Sequence, residues 1–240
     1  MAVRRKRVKA EDVMSYLGPL YGPVEWEPRY NPAEELVYTI LSQHTSDINS
    51  ERAFLNLMDT FKTLENIADA GVEDIEVAIR SGGLSNQKSV RIKEVLNIVR
   101  ADVGSFDLSF LGEMPLEEAK SWLKSLPGVG PKTAAIILCF SLGMPAMPVD
   151  THIYRVSQRL RLIGPKVSAD KAHDILEPMV SEEDVFAFHV YLIQHGRQVC
   201  KAQRPRCDDC ALAWGCPSKG RVGNKTAKRR RAKRPAKAAR

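Results

Sequence analysis

No stretch of the 240-residue chain approaches the ~18–20 consecutive apolar residues that a bilayer-spanning helix needs, so a helical membrane protein is excluded. The opening MAVRRKRVKAEDV is basic but has no apolar segment behind it, and neither a secretory signal nor export is expected. Aromatic residues make up only 7 %, and alternating runs of Val, Ile, Thr or aromatics are almost missing. Little is left to build a sheet from. The five cysteines are too unevenly placed for a secreted disulfide framework: Cys139 sits in an apolar run, and the other four crowd toward the C-terminus.

Acid is missing from both ends. The first ten residues hold 5 Lys and Arg, and residues 218–240 hold 11, with no Asp or Glu in either stretch. Between them, 20 basic residues face 29 acidic ones, so the net charge of +7 hides an acidic body with basic ends. Such ends commonly act as arms that neutralise phosphates without reading sequence. A tail that merely keeps the chain soluble has the same composition.

What is present is helical periodicity. Residues 33–42, 51–62, 73–80 and 88–101 place apolar side chains three and four apart, and the expected fold class is all-α, with about ten helices. Breaks fall at Gly18-Pro19, Gly22-Pro23, Gly82-Gly83, Pro127 to Pro131, Gly143 to Pro148 and Gly164-Pro165. No internal repeat is visible. Residues 133–142, TAAIILCFSL, are apolar on every side, which means a helix buried all round, with Cys139 as a core thiol. The following GMPAMPVD is too rich in proline to be helical and reads as a hinge between two lobes.

Three constellations carry chemistry. In LPGVGPKTAA, residues 126–135, a tight turn with glycines at Gly128 and Gly130 leads into a helix that Pro131 is suited to start. Such a helix end offers free N–H groups to an anion such as a DNA phosphate; a plain joint between two helices has the same look. Lys132 stands in the first turn, where the helix dipole disfavours a cation. The field that makes it misplaced also favours the neutral, nucleophilic amine, although a solvated lysine touching phosphate fits the position equally.

Asp150, in Val149-Asp150-Thr151-His152, is expected to cap a helix running to about Leu162 and, at a cleft edge, to face Lys132. His152 reads as a packed or capping side chain. Last, Cys200, Cys207, Cys210 and Cys216 follow the spacing C-x6-C-x2-C-x5-C, with one knuckle and two longer arms. Four thiolates this close can wrap one zinc ion or one iron–sulfur cluster. Lys201, Arg204 and Arg206 lie in the loop between the first two cysteines, where a ligated loop would present them to phosphate.

Together, LPGVGPKTA with Lys132, VDTH with Asp150 and the cysteine spacing resemble the endonuclease III family of DNA glycosylases, in the helix-hairpin-helix superfamily. The resemblance runs from about residue 30 to Cys216. It implies two helical lobes flanking a DNA-binding cleft: a six-helix barrel with the helix-hairpin-helix over 31–144, and a cluster lobe. The latter would join the basic arm and helix of 1–30 to the cluster loop within 145–217, followed by a disordered basic tail over 218–240.

The same likeness implies a 4Fe-4S cluster on the four cysteines, Lys132 as nucleophile and Asp150 as its essential carboxylate. Residues 40–47, ILSQHTSD, look like the family's segment that fills the gap left by a flipped nucleotide. Residues 81–88, SGGLSNQK, look like its wedge loop, with Leu84 against the opposite strand. The family's gap-filling glutamine falls at His44, with Gln43 just before it, so the choice between these two stays open. Gly128, Gly130, Lys201, Arg204 and Arg206 complete the expected DNA contacts.

The implied activity is that of a bifunctional DNA glycosylase and AP lyase. It would act as a monomer on double-stranded DNA containing damaged pyrimidines or abasic sites, in a prokaryotic cytoplasm or, in a eukaryote, the nucleus. Two rivals remain: a mismatch-directed or monofunctional glycosylase of the same superfamily, and a non-catalytic DNA-binding module with a zinc site.

Overall fold

The computed structural model describes residues 7–222; the rest of the basic tail expected over 218–240 lies outside the described residues. Eleven α-helices and no strand occur among them. In chain order these are α1 (Ala10–Tyr21), α2 (Pro32–Ser42), α3 (Asp47–Phe61), α4 (Leu64–Asp69), α5 (Val72–Ala78) and α6 (Ser85–Val103). They continue with α7 (Leu116–Ser125), α8 (Pro131–Leu142), α9 (Thr151–Leu160), α10 (Ala169–Leu176) and α11 (Val185–Gln198). The protein is all-α. No helix among the described residues is long and apolar enough to cross a membrane.

The chain divides into two compact units: a continuous one, Trp26–Pro148, and a discontinuous one made of Met1–Glu25 and Val149–Arg240. In the continuous unit, α2 is packed by α3, α6 and α8. Leu36, Ile40 and Leu41 of α2, Leu96 of α6, and Ile137 and Leu138 of α8 are buried at its centre. Residue 138 belongs to the run read as apolar on every side, and α8 accordingly buries seven of its twelve residues, Cys139 included.

Local chemistry sets the helix ends. The Asn31 side chain accepts from Glu34 N at 2.9 Å, and Pro32 occupies the first turn of α2. Helix α3 begins four residues ahead of the periodic stretch at 51–62 because Ser46 caps it, while its first turn, Asp47–Ser50, is mostly polar. The segment before α2 is drawn onto α8: Trp26 Nε1 donates to Cys139 O at 2.7 Å, and Arg29 N donates to Phe140 O at 3.3 Å. The Arg29 guanidinium pairs with buried Glu35 and lies 4.4 Å from the centre of the Tyr38 ring. Burial pushes the Glu35 carboxyl above the ordinary range, while Arg29 and the Thr39 hydroxyl pull it back.

In the discontinuous unit, α1 and α9 both pack on α11. Tyr191 of α11 donates to Gly22 O at 2.9 Å, just past the end of α1. Gly196 lets α9 come close: a Cβ there would stand 2.8 Å from His152 Cβ. That contact, with Arg155 Nη2 3.1 Å from its Nδ1, accounts for His152 as a packed side chain.

Candidate DNA-processing site and cysteine loop

Within the continuous unit, the hairpin between α7 and α8 is a four-residue turn closed by Val129 N donating to Leu126 O at 3.2 Å. Pro127 and Gly128 are its central residues, and Gly128 has φ +76, which a side chain would strain. A Cβ on Gly128 would also meet Arg91 Nη1 of α6 at 2.5 Å. Gly130 differs from the sequence expectation. Its backbone is extended, with φ −96, and open space faces it, so neither dihedral nor packing demands glycine there. The missing side chain instead leaves open space at the start of α8.

Lys132 is exposed in the first turn of α8, and no hydrogen bond or ion pair engages its amine among the described residues. The turn that precedes it is tied to the 40–47 segment: Gln43 Nε2 donates to Gly128 O at 3.3 Å. Gln43 is thereby committed to the hairpin. Its neighbour His44 has φ 56, a left-handed backbone that non-glycine residues seldom adopt.

Leu84 is unusual in the same way. It occupies the N-cap of α6 with φ 50, offers no side-chain cap, and is 46 % exposed. A large apolar residue breaks local preference at an N-cap, in left-handed backbone and in solvent alike. Breaches of this kind cluster where function requires them. Behind it, Gly82 is buried against α3, where a Cβ would stand 3.0 Å from Ala53 Cβ.

In the discontinuous unit, Asp150 caps α9, its Oδ1 accepting from Ile153 N at 2.7 Å. One turn on, Arg155 donates to Cys200 O at 3.0 Å and to Gly196 O at 2.8 Å. Arg159, a further turn along the same face, donates to Cys200 O, Lys201 O and Ala202 O at 3.2, 2.7 and 3.0 Å, and reaches Cys200 Sγ at 3.3 Å. Its own carbonyl accepts from Ser218 Oγ at 2.9 Å. Sequence reading missed both arginines. The one signal available was their i, i+4 spacing directly after Asp150.

Cys200, Cys207, Cys210 and Cys216 line one pocket, with Arg159 and His195 in its wall. Burial, and then the neighbouring thiols, push the Cys210 thiol up to about 11. Among the described residues, no three His, Cys, Asp or Glu side chains are grouped as around a single metal ion. His195 adds a buried imidazole, pushed down to about 4 by burial, between Tyr21 Oη and Cys210 Sγ at 3.3 and 3.4 Å.

Of the cations between the first two cysteines, Lys201 and Arg204 are exposed, and Arg206 is paired with Asp209 at 2.8 Å.

Comparison with known proteins gives the family and the fold. Residues 37–181 match the family described as HhH-GPD superfamily base excision DNA repair protein. Endonuclease III of Thermotoga maritima is 34 % identical over 203 residues, spanning 82 % of this chain and 90 % of that one. Endonuclease III of Bacillus subtilis is 33 % identical over 207 residues, 86 % of this chain and 90 % of that one. Among solved structures, a trapped covalent endonuclease III–DNA intermediate superposes with a TM-score of 0.75, at 28 % identity over 92 % of this chain and 99 % of that one. A non-covalent endonuclease III–DNA complex gives 0.72, also at 28 % identity, over 92 % and 95 % of the two chains. The chain belongs to the HhH-GPD superfamily and, within it, to the endonuclease III family of DNA glycosylases.

Proposed function

We propose that this chain is a bifunctional glycosylase and AP lyase of base excision repair, that it removes oxidised pyrimidines, and that Lys132 is its nucleophile. The exposed amine of Lys132, directly behind the open space at Gly130, carries the reading. The N–H groups of the α8 start hold a DNA phosphate, and that anchor brings the sugar of the damaged nucleotide to the amine. Lys132 Nζ forms a bond to C1′ as the bond to the base breaks, and the base leaves with the electron pair. Loss of a proton from nitrogen and opening of the sugar ring give an iminium between Lys132 and C1′. The C2′ proton is then acidic, and its removal expels the 3′ phosphate by β-elimination.

Asp150 is the carboxylate that stabilises the positive charge developing at the sugar. Its bond to Ile153 N fixes the carboxylate's orientation. His44, with Gln43 held by the hairpin, is the residue left to meet the orphaned base; Leu84 unstacks its neighbours. Cys200, Cys207, Cys210 and Cys216 would hold a 4Fe-4S cluster, whose contribution is to shape the loop that carries Lys201 and Arg204 toward phosphate. The monomer is the acting species, in a cytoplasm or nucleus.

The test is borohydride trapping on duplex DNA carrying thymine glycol or an abasic site, with wild type beside Lys132→Gln. A covalent adduct in wild type that vanishes in the variant is expected. No adduct from iron-loaded wild type would overturn the lyase reading in favour of a glycosylase that only removes the base.

A further inference from the structure

Lys88 of α6 is a charged side chain with 5 % of its surface exposed, and no part of the mechanism above uses it. Its Nζ donates to Leu41 O at 2.6 Å and to Gly82 O at 3.0 Å. The first carbonyl lies in the last turn of α2, three residues before His44; the second lies two residues before Leu84. A buried ammonium whose acceptors are two main-chain carbonyls is a costly device for ordinary packing. Its burial lowers its pKa, so the charge is held against a desolvation penalty.

Each of the two loops that Lys88 joins carries a non-glycine residue with left-handed φ, His44 in one and Leu84 in the other, as do Lys62, Arg161 and Arg204 elsewhere in the chain. Such residues return to relaxed backbone unless their surroundings hold them. One turn further along α6, Arg91 lies against Gly128 of the hairpin turn, which also accepts from Gln43. One face of α6 therefore touches all three loops.

We propose that Lys88 is a positioning residue that locks the His44 loop and the Leu84 loop into one rigid element, so that unstacking the strand and filling the vacated gap occur together. The proposal rests on the function given above. DNA that closes the gap before His44 enters returns the nucleotide to the stack. Loops held at a fixed separation deny it that route, because wedge and filler advance as a single body. Lys88 touches no reacting atom; it acts through Leu84 and His44.

The test compares single-turnover excision of thymine glycol in two DNA contexts. One is a fully paired duplex; the other places the same lesion in an unpaired loop, where no stack has to be opened. Lys88→Met keeps the length of the side chain and removes the ammonium. It is expected to slow excision from paired DNA roughly 10- to 100-fold, and the loss should shrink to within about threefold on the looped substrate. Combined with Leu84→Ala, it should add little to the loss from Leu84→Ala alone, as coupled residues do.

Gly82→Ala approaches the same clamp from its other end, by pressing a Cβ on Ala53 and shifting the carbonyl that Lys88 holds. The same contrast between substrates is expected of it. Equal losses on both substrates, full additivity with Leu84→Ala, or no loss in either variant would each overturn the proposal. If wild type excises neither substrate, the glycosylase reading itself fails, and the inference falls with it.

Discussion

Between Trp26 and Pro148 the chain folds on itself without interruption and buries leucine, isoleucine and valine on nearly every helix. The other unit takes its parts from both ends of the chain, and between residues 200 and 218 Leu212 is the buried apolar side chain. What fixes that stretch is polar: two arginines of α9 aimed at main-chain carbonyls, and four thiols around a pocket. Where a core exists, the helices hold the loops. Where it does not, the arginines and whatever the thiols bind must hold the backbone directly. The candidate nucleophile belongs to the first kind of structure, and the loop cations to the second.

This contrast breaks most readily in the core. Leu138 is fully buried in α8, and Leu138→Ala should cost about 2–5 kcal/mol. Chemical denaturation should register the loss in unfolding of the continuous unit. Next comes Arg159→Met, which strands the carbonyls of Lys201 and Ala202, while Arg155 still donates to Cys200 O, and should cost about 1.5–3 kcal/mol. Hydrogen exchange should rise over 200–218, while exchange in 26–148 stays as in wild type. A rise throughout the chain would erase the distinction between the units. The smallest effect belongs to Asp59→Asn, which removes the surface pair with Lys62 at 2.6 Å. Thermal melting should not distinguish it from wild type, since on the well-packed unit a solvated ion pair has nothing to hold.

The same division governs how much could be read from the sequence. Helices α2 and α6 lie where the 33–42 and 88–101 patterns place them, because a buried stripe writes itself as a three-and-four spacing. The start of α3 carries no such stripe, and a cap sets it. Lys132, Asp150 and the four cysteines stand out because each is a residue type at a telling local spacing. Arg159 is invisible because its partners lie more than forty residues away, and Lys88 because one of its carbonyls is 47 positions back. Main-chain acceptors have no residue identity, so no pairing rule reveals them. Gly130 shows the reverse error: a glycine legible as a turn residue has an extended backbone and open space before it, so the turn does not need it.

The split of the discontinuous unit also sets an order of events during synthesis. Val13 and Leu17 give α1 an apolar stripe, yet its partner α11 begins only at Val185, after the entire continuous unit. At ~5–20 residues per second, α1 spends roughly ten to thirty seconds outside the ribosome with its greasy side uncovered.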